Sequence, residues 1–286
     1  MHKNEYEDFE VVNTGNSTLL KAITYFNDNF DAPIIRKLKK TDFINSDEID
    51  TEIISHIMEL MTSDTNKALF RKSNSSNDIL TNMWMSQVQK KAKLKFIGNV
   101  NVPFKKLSKQ DLKDIAECSY VEESVEVIVD YLYEKYGIIL VIVSNIEGMK
   151  TDGATFLLEN QIPVIGMSLR INRYDYFWFT LMHELSHVYL HLFDRKLPII
   201  DNNLFGDETH SQETDEIEIE ANTLARDSLI PRRIWAKCKA RKYQKDEDGL
   251  LEFSNKYKVH KSIVAGFIRY EQMNYKIYNK FITKIY

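Results

Sequence analysis

A chain of 286 residues with 38 Lys+Arg against 42 Asp+Glu, a formal charge of -4 and 43% hydrophobic residues has the composition of a globular protein of one large or two modest domains. No apolar run approaches the roughly 18 residues a membrane-spanning helix needs, the longest clean stretch being 138–143, and near-neutral charge argues against strong non-specific nucleic-acid binding by the whole molecule. The opening MHKNEYEDFEVV lacks the basic-then-apolar pattern of a signal peptide, and Cys118 and Cys238 cannot make a disulfide framework, so a cytoplasmic location is expected.

Residues 1–17 are polar and acidic without periodicity and read as a mobile leader. From 18 to 110 the chain reads as a helical N-terminal region: LLKAITYFNDNFDAPIIRKL, EIDTEIISHIMELM and DILTNMWMSQVQKKAKLK space their apolar residues three to four apart. Residues 111–136 predict one helix ending at Gly137. IILVIV, DGATFLL and PVIGMSLR then predict three short strands, and DYFWFTLMHELSHVYLHLF predicts a long apolar helix. A helix, three strands and a helix make an α+β core over 111–231. Residues 201–227 hold nine acidic residues and one basic, whereas 232–245 hold seven basic and no acidic, an inversion that sets off a C-terminal helical region, 232–286. The basic run reads as a solvated face.

The chemistry lies in His183-Glu184-Leu185-Ser186-His187. Residues four apart on a helix share a face, so the two imidazoles can converge on one metal, while Glu184 is offset so that its carboxylate can deprotonate a water the metal activates. The competing reading is a buried core helix with two satisfied histidines, because Phe177, Trp178, Phe179, Leu181 and Met182 are core-like. A catalytic zinc needs a third protein ligand, and Leu190 and Phe193 stand where a metzincin would have glycine and histidine. The helix predicted over 215–231 carries Glu218 and Asn222 four apart. That is the second-helix arrangement of glutamate zincins, in which the later residue accepts a hydrogen bond from a ligating imidazole. Glu218 is therefore the expected third ligand and Asn222 its orienting partner, ahead of Glu216 and Glu220, which lack an amide or acid four residues on. His191 lies too far along the axis to share the ion and reads as a packing or orienting residue. His210, in the acidic connection 195–214, is a weaker candidate for stabilising an oxyanion.

FWFTLMHELSHVYLH followed by EIEANTLARDSLIP resembles the ImmA/IrrE metallopeptidases, peptidase family M78. DGATF, IPVIGMSLR, RYDYFWFTL and VHKSIVAGFIRYE extend the resemblance over about 68–278, in the form found fused to antitoxin-type repressors. The resemblance implies a zincin-like core, one zinc per chain held by His183, His187 and Glu218, Glu184 as general base, and cleavage of a regulatory protein, a DNA-binding repressor or antitoxin. Those relatives begin with a DNA-binding helix-turn-helix, whereas nothing before Pro33 matches one, so direct nucleic-acid binding is not implied. In this family LLEFSNKYKVHKSIVAGFIRY looks like a bundle packed on the protease domain, although its two short helices superficially resemble a helix-turn-helix. The alternative function is an antitoxin-like or transcriptional binding protein with a structural or vestigial metal site. For a protease, DGATFLL or PVIGMSLR is the expected edge for an extended substrate, with Gly153 admitting its backbone, and the connection 195–214 the expected cover.

Overall fold

The computed structural model describes residues 14–41, 44, 48–62, 75–98, 102–121, 123–195, 198–202, 212–242 and 246–285. The chain divides into two compact units, Met1–Ser86 and Gln87–Tyr286. In the first unit, α1 (Thr14–Asn29), α2 (Ala32–Leu38) and α3 (Ile49–Thr62) are followed by α4 (Ser76–Gly98), which runs through the division between units. Asp31 caps α2 by accepting from the Ile34 amide at 2.9 Å, and Pro33 costs nothing in the first turn, where its missing N–H has no intrahelical acceptor. α1 packs on α3, and a buried hydrogen bond joins His56 Nδ1 to Ser86 Oγ at 2.9 Å.

The second unit is a mixed α+β assembly around a small sheet. The helix expected over 111–136 is two helices, α5 (Lys109–Cys118) and α6 (Ser124–Tyr136). Ser108 and Asp111 form a capping box at the start of α5, and the Ser119 and Tyr120 amides close its end on the Ala116 and Glu117 carbonyls respectively. Gly137 ends α6 with φ 65°, a left-handed cap, and a Cβ there would also meet the Pro103 carbonyl oxygen at 2.6 Å. β1 (Ile139–Ile142), β2 (Thr151–Leu158) and β3 (Ile162–Met167) form as expected, β2 and β3 as a hairpin turning on Glu159 and Asn160, both at positive φ.

A fourth strand, β4 (Ile199–Asn202), was not expected from the sequence. The order is β1-β3-β2-β4, with β1 parallel to β3 and the other pairs antiparallel. Both strands proposed from the sequence as a substrate edge are therefore paired on each side, and neither has a free edge in this state. β4 takes the edge of β2 because the connection after the helix that carries His183 and His187 turns back as an extended IIDN segment.

That helix, α7 (Tyr174–Leu190), is buried along nearly its whole length. Phe177, Trp178, Leu181, Met182 and Leu185 are at most 1% exposed, each worth roughly 1.5–3 kcal/mol of burial. Its entry is fixed to β2 through buried Asp152, which accepts from Arg170 Nε at 2.7 Å and Nη2 at 3.0 Å and from the Tyr176 hydroxyl at 3.0 Å. A short α8 (Leu192–Arg195) follows α7, and α9 (Gln212–Leu229) packs along α7. Beyond α9 come α10 (Arg232–Trp235), a 3-10 turn at Lys239–Arg241, α11 (Glu247–Tyr257) and α12 (Lys261–Glu271). α12 lies on α7, burying Ile263, Val264, Ala265 and Ile268, while His260 sits against the Tyr174 ring at 4.3 Å. Within the basic run, Arg241 pairs with Glu271 and lies over the Trp235 ring.

Candidate metal centre

Helical spacing on α7 and α9 brings together residues 183, 187 and 218. His183 Nε2 and His187 Nε2 lie 2.9 Å apart. Glu218 presents Oε2 at 3.1 Å from His183 Nε2 and Oε1 at 3.5 Å from His187 Nε2. A fourth group, Asp201 from β4, places Oδ2 at 3.1 Å and 3.5 Å from the same two nitrogens. One ligand atom from each of the four residues lies within 4.8 Å of every other.

Each imidazole is oriented from behind. His183 Nδ1 donates to Asn222 Oδ1 at 3.0 Å, since that amide oxygen can only accept. His187 Nδ1 lies 3.1 Å from His191 Nδ1, and His191 Nε2 lies 3.0 Å from Glu220 Oε2. With His191 donating to Glu220, its Nδ1 accepts from His187. Both Nδ1 protons are then committed outward, and the two Nε2 lone pairs face each other and two carboxylates. A proton or a metal ion must lie between groups so arranged, because bare lone pairs and anions at 3 Å repel. Burial opposes the charged form of His183, yet Asp201 and Glu218 push its pKa up to about 10, and the two histidines in turn hold Asp201 well below the usual carboxylate range against its own burial. This donor set, imidazole nitrogens with carboxylate oxygens, could hold a metal ion.

Glu184 is fully buried beside the cluster. Thr155 Oγ1 on β2 donates to Glu184 Oε2 at 2.6 Å, and Oε1 has no donor among the described residues. Burial first, then the neighbouring Asp201, raises its pKa well above the ordinary value. Gly153, expected to admit a substrate backbone, instead makes room for this carboxylate.

Glu216 is exposed, and Glu220 is spent on His191. His210 lies outside the described residues, as do 196–197 and 203–211 of the connection. Asp201 escaped sequence reasoning because it sits in that connection, outside any ligand motif. Ile199-Ile200-Asp201-Asn202, two apolar residues then two polar, gives no alternation to read; only once the strand forms do Ile199 and Asp201 fall on one buried face.

Residues 134–268 match the family model for peptidase M78, described as the IrrE N-terminal-like domain. No curated protein matches the chain.

Proposed function

We propose that the chain, whose residues 134–268 match the peptidase M78 family model, is a zinc-dependent endopeptidase of that family with a zincin-like core, cleaving a regulatory protein of the repressor or antitoxin type. The observation that carries the proposal is the convergence of His183, His187 and Glu218 on one point, with the buried carboxylate of Glu184 beside it. His183 and His187 would hold the metal through Nε2 and Glu218 through its carboxylate.

When bound, the metal supplies a Lewis acid that polarises a peptide carbonyl and makes a water more acidic. Glu184 takes the proton of the attacking water and passes it to the leaving amine nitrogen as the C–N bond breaks, and burial favours this by raising its proton affinity. Thr155 holds the Oε2 oxygen and leaves Oε1 without a donor among the described residues. Asn222 and the His191–Glu220 pair keep the two imidazoles in the tautomer that presents Nε2.

The repressor or antitoxin class of substrate is supported by the family resemblance and by charge. Asp207 and Glu208 in the connection, with exposed Glu216 on α9, favour a basic partner such as a DNA-binding protein. The test is incubation of the zinc-loaded protein with the regulators encoded beside it. One or a few cleavage sites, lost with a chelator and in Glu184→Gln, are expected; intact regulators under both conditions would contradict the assignment.

A further inference from the structure

We propose that Asp201 is a fourth protein ligand of this metal site, delivered by β4, and that the site is thereby closed at rest until β4 withdraws. The inference rests on the metallopeptidase reading and adds to it how the site is kept silent.

Three observations carry it. First, Asp201 is 3% exposed and its Oδ2 approaches both ligand nitrogens as closely as Glu218 does. The groups that act on its carboxylate are His183, His187 and Glu184, so the metal-site residues themselves account for an anion buried there. Second, β4 is registered to place it. Asp201 pairs with Gly153 across a register irregularity between Thr151 and Gly153, and Thr151 Oγ1 donates to Asn202 Oδ1 at 2.7 Å, fixing the next residue. Third, the remaining residues describe a working site. A purely structural zinc is closed by four protein ligands and has no use for a buried base, whereas Glu184 stands beside these four, with one oxygen held by Thr155.

Four protein ligands leave no position for the water that Glu184 would deprotonate. β4 has four residues against eight in β2, and among the described residues no strand pairs with its outer edge. So short an edge strand belongs to the parts of a fold that open locally at low cost. Withdrawal of β4 would at once free a coordination position and expose the edge of β2.

The test compares the full chain with Asp201→Ala, Asp201→Asn, Asn202→Ala and Glu218→Ala, each loaded with Co(II) in place of zinc. Visible absorption reads coordination, chelator competition reads affinity, and cleavage of a peptide library reads access. Wild type is expected to show a four-coordinate spectrum. Both Asp201 variants should change that spectrum, bind Co(II) at least tenfold more weakly and cleave faster than wild type. Asn202→Ala, which leaves every ligand in place, should accelerate amide exchange at Ile199–Asn202 and raise cleavage, which keeps the test decisive if the Asp201 variants fold poorly. A wild-type spectrum and affinity in both Asp201 variants would overturn the fourth ligand. A changed spectrum without faster cleavage in any β4 variant would overturn closure at rest. Failure of the underlying reading looks different: wild type would bind no Co(II), and Glu218→Ala would change nothing.

Discussion

Gly153 on β2 and Glu184 on α7 fit so closely that a Cβ on residue 153 would lie 1.9 Å from Glu184 Oε1. Space, and not backbone conformation, accounts for this glycine, because its φ lies outside the positive range that marks Gly137 and Gly148. Gly153→Ala must push the carboxylate away while leaving His183, His187 and Glu218 in place. The expected outcome is retained zinc with cleavage reduced about 10²–10⁴-fold, the usual worth of a positioned general base. Metal content and cleavage measured on one preparation check it, and undiminished cleavage would refute the placement of Glu184.

The residues behind the imidazoles should matter for affinity. Asn222→Ala frees the His183 ring, and His191→Phe removes the partner of His187 Nδ1. Each is expected to weaken zinc binding by about 10–100-fold without abolishing it. Competition with a chromogenic chelator reads the shift, and wild-type affinity in both variants would show that the rings need no such support.

The Ser108–Asp111 capping box makes a prediction independent of the metal. Ser108→Ala should destabilise the protein by about 1 kcal/mol at neutral pH. Hydrogen bonds from the Ser108 side chain, then from its backbone amide and Lys105, outweigh partial burial and hold the Asp111 carboxyl well below the ordinary range. A carboxylate with a depressed folded pKa contributes fully above its unfolded value, about 3.9, and loses that contribution as pH falls from there toward the folded value. The difference between wild type and Ser108→Ala in urea denaturation should therefore shrink in strong acid. A difference that grew on acidification would contradict the assignment.

Much of the site was legible because helices carry their geometry in residue spacing. His183 and His187 four apart, and Glu218 and Asn222 four apart, each define one helical face, and the chain brings those two faces together. β1 was legible from the branched apolar run IILVIV, and the hairpin strands from two short stretches, DGATFLL and PVIGMSLR, parted by a turn at 159–161. The break between α5 and α6 was not, because residues 119–123 (SYVEE) hold neither glycine nor proline, and backbone bonds at Ser119 and Tyr120 end the helix instead. β4 was not legible either: four residues have too short a period to read, and the partner that makes them a strand lies about fifty residues earlier, as in the Thr151–Asn202 pair. The roles expected of β2 and β3 as free edges failed for that same reason, since strand pairing is a non-local property.

The most direct test of the central claim is zinc stoichiometry by elemental analysis, read beside cleavage, in wild type, Glu184→Gln, His183→Ala and Glu218→Ala. The expected result is about one zinc per chain in wild type and Glu184→Gln, the latter without hydrolysis because only the base is lost, and little or no zinc retained in the two ligand variants. Zinc content in Glu218→Ala equal to wild type, or hydrolysis undiminished in Glu184→Gln, would contradict it.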